Sequence, residues 1–200
     1  MKLLKGAAPY APHIGKFEEL KGLATLGIFG NMISEMADLK SSVASFAASC
    51  ANKLRAQSCV CKTITVFVSS NRFREDLQQY GNAATSTLLT ASSDTQTITS
   101  AALRCLEQIY VPGIMYKKSG VILSDISQDS PLQLDLFLTS SKLKERNNLM
   151  HALDNINHRY GVKTLHLAVE GTERQAWKVK CEHRSRNYLT NINDILTIKI

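Results

Sequence analysis

The chain has 200 residues, 44% of them hydrophobic and 20% charged, a composition typical of a globular protein of one large domain or two small ones. No apolar run approaches the roughly 18 residues of a membrane span, and the formal net charge of +7 is compatible with a polyanionic partner. The charge is uneven: residues 1–130 hold 13 Lys and Arg against 10 Asp and Glu, the rest 11 against 7, so the tail is the more basic part per residue.

Met1-Lys2-Leu3-Leu4-Lys5 begins like a signal peptide, but Pro9, Pro12 and His13 arrive before an apolar segment forms. Residues 1–20 read as a tether or remnant, and the expected compartment is the cytoplasm. Leu23 to Phe29 reads as a strand closed by Gly30-Asn31. Ser34 is the expected N-cap of a helix with Glu35 and Asp38 in its first turn. Met36, Leu39, Val43, Phe46, Cys50 and Leu54 then form one apolar stripe at helical spacing. From Lys62 to Ser69 the chain alternates, with Ile64, Val66 and Val68 on one face and Thr63, Thr65 and Phe67 on the other, the pattern of a half-buried strand.

Asn71 to Tyr80 is polar and reads as a loop carrying Arg72 and Arg74; Ala84 to Ala91 reads as a strand. Asp94 is placed to cap a second helix along Ile98, Ala102, Cys105 and Ile109, which stops at Val111-Pro112-Gly113. Met115 to Ile126 completes the set as a strand carrying Lys117-Lys118. The order β-α-β-β-α-β predicts an α+β fold of split βαβ type: a four-stranded sheet with two helices on one face and the other face free for a ligand.

Residues 129–139 read as a linker. Lys142 to Tyr160 then predicts a third helix with Leu143, Met150, Leu153, Ile156 and Tyr160 on one side and Gly161 just past its end. Thr164–Val169, Ala176–Cys181 and Ile195–Ile200 are short strand candidates, so residues 140–200 are expected to be a small, basic α+β domain. Such a domain needs the preceding one, or a partner, to cover its apolar side. Five cysteines (Cys50, Cys59, Cys61, Cys105, Cys181) are scattered. Cys59-Val60-Cys61 lacks a second Cys or His pair at zinc-site spacing, so buried free thiols are expected and no metal.

Within the linker lies Gln133-Leu134-Asp135-Leu136-Phe137. Gln-Leu-x-Leu-Phe is the peptide with which many bacterial polymerases and repair factors dock on the replicative sliding clamp. Its logic is a paired amide at Gln133 and an extended backbone that aims Leu136 and Phe137 into one hydrophobic pocket, a few anchors carrying most of the binding energy. Read blandly, the same residues are an ordinary buried strand. Their flanks, Asp129-Ser130-Pro131 and Leu138-Thr139-Ser140-Ser141, favour a linker.

Several blocks resemble the C-terminal half of bacterial Y-family translesion DNA polymerases of the UmuC-like type. They are Ala51-Asn52-Lys53-Leu54-Arg55-Ala56-Gln57, Ile64-Thr65-Val66-Phe67-Val68, Asn71-Arg72-Phe73-Arg74-Glu75-Asp76-Leu77-Gln78-Gln79-Tyr80, Tyr116-Lys117-Lys118-Ser119-Gly120-Val121, the Gln133–Phe137 peptide, Asn155-Ile156-Asn157-His158-Arg159-Tyr160-Gly161 and Trp177-Lys178. The resemblance implies that residues 21–128 are the little finger, a domain whose sheet lies along the primer–template backbone. Residues 129–139 would be a linker with the clamp peptide, and 140–200 the family's C-terminal domain. It implies DNA contacts from Arg72, Arg74, Lys117 and Lys118, which would supply affinity without sequence reading. Clamp contacts are implied from Gln133, Leu134, Leu136 and Phe137. Recombinase and accessory polymerase subunits are further implied partners, within DNA repair and the SOS response. Two places depart from the family pattern: Leu26-Gly27-Ile28-Phe29-Gly30 lacks the usual cation before Phe-Gly, and Ile114-Met115 replaces aromatic and basic residues.

Polymerase chemistry needs carboxylates that hold two Mg²⁺ ions. Those of the family belong to a palm domain, whose Asp-rich strand and Ser-x-Asp-Glu hairpin do not occur in this sequence, so no catalytic residue and no cofactor is assigned here. No nucleophile signature or Gly-rich phosphate loop is present either. The expected function is therefore a non-catalytic DNA- and clamp-binding module of a translesion polymerase. The alternative is a stand-alone clamp-interaction protein that has lost DNA binding, and an unrelated enzyme using the tail's His and Cys residues is a distant third.

Overall fold

Where apolar and polar residues alternate the chain is extended, and where they recur at 3.6-residue spacing it is helical. The computed structural model describes residues 22–129, 140–171 and 175–179. The elements are β1 (Gly22–Ile33), α1 (Met36–Ala56), β2 (Cys59–Ser70), β3 (Gly81–Ser92), α2 (Thr95–Ile109), β4 (Tyr116–Gln128) and α3 (Ser140–Tyr160). β1, β2 and β3 run beyond their expected limits at both ends, and β4 starts one residue after Met115 and ends two after Ile126. β2, for instance, starts three residues before Lys62, because Cys59, Val60 and Cys61 are themselves buried.

The four strands form one sheet in the order β1-β4-β2-β3, every neighbouring pair antiparallel. β4 lies between β1 and β2, and β2 between β4 and β3, so both βαβ units are split as the element order predicts. The alternation in β2 decides the layers. Ile64, Val66 and Val68 face the helices, where they meet Leu39, Val43 and Leu54 of α1, Ile98 and Leu106 of α2, and Val121 and Leu123 of β4 in one core. Cys50, Cys59, Cys61 and Cys105 are buried free thiols within this core, and burial pushes the Cys61 thiol up to about 12.

Asp94 caps α2 as expected, accepting the Thr97 backbone N–H at 2.9 Å. The N-cap of α1 is Glu35 rather than Ser34, and no side chain bonds to the free amides there. The loop after α2 is closed by Tyr116, whose hydroxyl accepts the Val111 N–H at 2.8 Å and lies 3.0 Å from the Val111 carbonyl. Ile114, one of the two residues that replace the family's aromatic and basic pair, is a core residue.

Beyond the linker, α3 is joined to α1 through Asp154. Arg55 of α1 holds Asp154 of α3 with two hydrogen bonds of 2.6 and 2.7 Å, while its remaining amine reaches the Ser93 carbonyl and the Thr95 hydroxyl. Arg146 pairs with Asp94 at 3.3 Å. Of the apolar side expected on α3, Met150 is buried, Leu153 is half-buried, and Ile156 and Tyr160 are exposed; the Leu143 side chain lies outside the described ones.

The expected strand Thr164–Val169 is instead a turn followed by a 3-10 turn at Ala168–Glu170. Asn157 explains the difference: its side-chain amide accepts from the Leu165 N–H at 2.8 Å and donates to the Leu165 carbonyl at 2.9 Å. It thereby takes the place of a neighbouring strand. Gly161 and Lys163, at φ +112° and +68°, fold the chain back so that this can happen. Residues 176–179 are likewise turn and bend rather than strand, and Ile195–Ile200 lies outside the described residues.

Trp177 seats this segment on the first one. Its ring meets Phe46 edge to face at 5.5 Å, its Nε1–H donates to the Ser41 hydroxyl at 3.1 Å, and its carbonyl accepts the Gly30 N–H at 3.4 Å. Gly30 allows the approach, because a Cβ there would lie 2.6 Å from the Lys178 carbonyl oxygen. No helix among the described residues is long and apolar enough to cross a membrane.

Candidate nucleic-acid interface

Because α1 and α2 cover one face of the sheet, the other face displays the second half of each strand's alternation. Register arranges it in four cross-strand rows, in the order β1, β4, β2, β3. They are Gly22-Ser124-Thr63-Thr87, Ala24-Ile122-Thr65-Thr85, Leu26-Gly120-Phe67-Ala83 and Ile28-Lys118-Ser69-Gly81. Hydroxyls dominate the first row, the second holds two threonines beside Ala24 and Ile122, and apolar groups make up the third. Lys118 is the single charged side chain in the four rows, and it is exposed.

Local packing keeps this surface low. The Phe67 ring lies flat across Gly120, where a Cβ would meet its edge at 2.5 Å and Leu26 Cβ at 2.8 Å. Only glycine fits beneath it. Thr65 and Thr85 join their hydroxyls at 2.9 Å across β2 and β3, and Thr63 bonds to Asp125 at the margin. Leu26 and Ile28 are 60% and 50% exposed, so the stretch that departs from the expected cationic pattern does project from this face, as hydrocarbon.

The structure separates the four sequence-predicted cations into two pairs. Lys118 and Arg72 line one cleft of about 540 Å³ at the end of the open face, together with Phe67, Ser69, Phe73 and Asn82. Lys117 is the extra residue of a bulge opposite Ser69 and Ser70. Its ammonium donates to the Phe29 carbonyl at 2.6 Å and to that of Gly30 at 3.4 Å, tying down β1 where its register with β4 shifts. Arg74 is held by Asp76 through two bonds of 2.7 and 2.6 Å. The Arg74 guanidinium holds the Asp76 carboxyl below its usual range, and that carboxylate raises Arg74 in turn. The pair carries no net charge to offer a phosphate.

Sequence reading passed over two features of this face. One is the Phe67–Gly120 pair, which needs the register of β2 against β4 to become visible. The other is Phe73, set between Arg72 and Arg74 in a polar loop and 93% exposed; an aromatic flanked by two cations was its available signal. Gln133, Leu134, Leu136 and Phe137 lie outside the described residues. Among the described residues no cluster of three or more His, Cys, Asp or Glu is placed to hold a metal ion.

Comparison with known proteins matches residues 25–136 to the impB/mucB/samB family C-terminal domain, and residues 147–198 to a domain of unknown function, DUF4113. The chain is 36% identical over 171 residues to Protein UmuC of Salmonella typhimurium, covering 86% of this chain and 40% of that protein. It is 34% identical over 172 residues to Protein SamB of Salmonella typhimurium, with coverage of 86% and 40%. Protein MucB of Escherichia coli is 34% identical over 167 residues, with coverage of 84% and 39%. The chain therefore spans about 40% of the length of the relatives it matches. By the span and order of these matches, the chain belongs to the impB/mucB/samB family, and residues 25–136 are that family's C-terminal domain.

Proposed function

We propose that this chain is the non-catalytic DNA- and clamp-binding region of a Y-family translesion polymerase, working in DNA repair and mutagenesis in the cytoplasm. The observation that supports it most is the open sheet face: lined with hydroxyls on β2, β3 and β4, free of acids in its four rows, and cationic at the end where Lys118 and Arg72 line one cleft. Hydroxyls and a few cations suit a phosphodiester backbone, which is gripped for position and not for sequence. The hydrocarbon at Leu26 and Ile28 and the internal pairing of Lys117 and Arg74 make this grip modest, with few phosphates neutralised and a shallow salt dependence. Gln133, Leu134, Leu136 and Phe137 supply the second attachment, to the sliding clamp, and recombinase and accessory polymerase subunits are further partners. Polymerisation and its Mg²⁺ belong to a palm domain that this sequence does not contain.

The same hydrocarbon favours a second reading, a clamp-interaction protein without DNA affinity. Calorimetry of the chain with the clamp, beside a Leu136→Ala/Phe137→Ala variant, and anisotropy with duplex DNA at two salt concentrations separate the two. DNA binding weakened by Lys118→Ala and by salt supports the polymerase region. Clamp binding with no DNA binding at low salt supports the alternative, and no binding to either sinks both.

A further inference from the structure

The cleft at the end of the open face has a construction that a backbone grip alone does not need. Residues 71–80 form a loop fastened from inside. The Gln79 amide donates to the carbonyls of Asn71, Arg74 and Leu77 at 3.2, 2.7 and 3.2 Å, and the Tyr80 N–H donates to the Ser70 hydroxyl at 2.9 Å. The Asn71 side chain accepts the Phe73 N–H at 3.1 Å, and the Arg74–Asp76 pair clamps the far side. All this internal bonding presents one apolar group: Phe73 has 93% of its surface in solvent and stacks on no other ring among the described residues.

A lone exposed aromatic is ordinary on a protein surface, so the case for an occupant rests on the neighbours of Phe73 in the cleft. Arg72 and Lys118 are cations with no acid among the lining residues, and Phe67 and Asn82 add an apolar wall and an amide. Glu75 is on the loop but does not line the cleft. An aromatic face beside two cations matches a nucleotide, whose base stacks while its phosphate is neutralised. Inside a duplex the base faces are already stacked on one another, so the occupant that fits is an unpaired base.

Building on the proposal that the sheet grips DNA, we infer that the Arg72–Phe73–Lys118 cleft captures an unpaired nucleobase of the single strand leaving the duplex, with Phe73 as the stacking platform. Because every base has a π-face, the cleft is tolerant of sequence. A duplex lying on the sheet would be held at its junction with single strand.

The test measures anisotropy of the whole chain with a blunt duplex and with the same duplex bearing a short 5′ single-stranded extension. Wild type is expected to prefer the extended probe. Phe73→Ala is expected to lose about tenfold on that probe, the scale of one base stacked on one ring, with the blunt duplex unchanged, while Phe73→Trp keeps the preference. Binding of both probes without preference, or equal loss on both in Phe73→Ala, overturns the inference and leaves the sheet interface standing. Binding of neither probe at low salt overturns both.

Discussion

Phe46→Ala tests how the C-terminal segment is held, because Phe46 is packed from two directions. A Cβ at Gly27 would lie 2.5 Å from its ring, and Trp177 meets the same ring at 5.5 Å. Phe46 is 8% exposed, so its truncation falls among core phenylalanine deletions of about 3–5 kcal/mol, of which the aromatic contact with Trp177 accounts for about 0.5–1.5 kcal/mol. With a urea m-value of about 2 kcal/mol/M, the larger loss moves a midpoint by about 1.5–2.5 M. The chain has a single tryptophan, so its emission reports the docking of residues 175–179 directly while far-UV dichroism reports the sheet and helices. Wild type is expected to show one coincident transition. In Phe46→Ala the Trp177 emission shifts to the red before dichroism changes. Phe46→Leu, which keeps bulk over Gly27 but loses the edge-to-face contact, should cost only about 1–1.5 kcal/mol. If Phe46→Ala leaves both the emission maximum and the midpoint where they were, Trp177 is not seated on this ring and the account of docking is wrong.

Two further perturbations address the same junction. Glu170 is 3% exposed, and burial raises its carboxyl, against the opposing effects of the Leu167 N–H and the charges of Lys163 and His166. A carboxyl raised in the folded state contributes most below its unfolded pKa and loses that contribution as pH climbs through the raised value. Glu170→Gln should therefore stabilise the docked segment at neutral pH and make no difference in the acid range; a benefit that grows on acidification would reverse the assignment. Asp154→Ala leaves the Arg55 guanidinium, whose side chain is only 9% exposed, without its carboxylate. Since Asp154 is itself 27% exposed, water moderates the penalty to about 2–3 kcal/mol. A double Arg55→Met/Asp154→Leu variant should cost less than Asp154→Ala alone in urea titrations. Additive losses would mean that the two residues do not interact.

Local pattern determined much of this molecule. Ile64, Val66 and Val68 alternate, Ile98, Ala102, Cys105 and Ile109 recur at helical spacing, and Asp94 precedes its helix. Each of these is a property of neighbours in the chain, so the split βαβ order could be read from residues alone. Side chains that are satisfied by distant partners could not. Lys117 and Lys118 are equal on paper, yet a bulge turns one ammonium onto the β1 carbonyls and leaves the other on the open face. Arg72 and Arg74 differ only because Asp76 lies within reach of the second. Thr164 to Val169 has strand-like composition, and Asn157 in the last turn of α3 overrides it by bonding directly to the Leu165 backbone. Gly120 reads as a weak point in a strand until register brings Phe67 over it. Periodicity is local and survives in one dimension, whereas charge pairing, close approach and exposure depend on which strand lies next to which, and only the folded chain decides that.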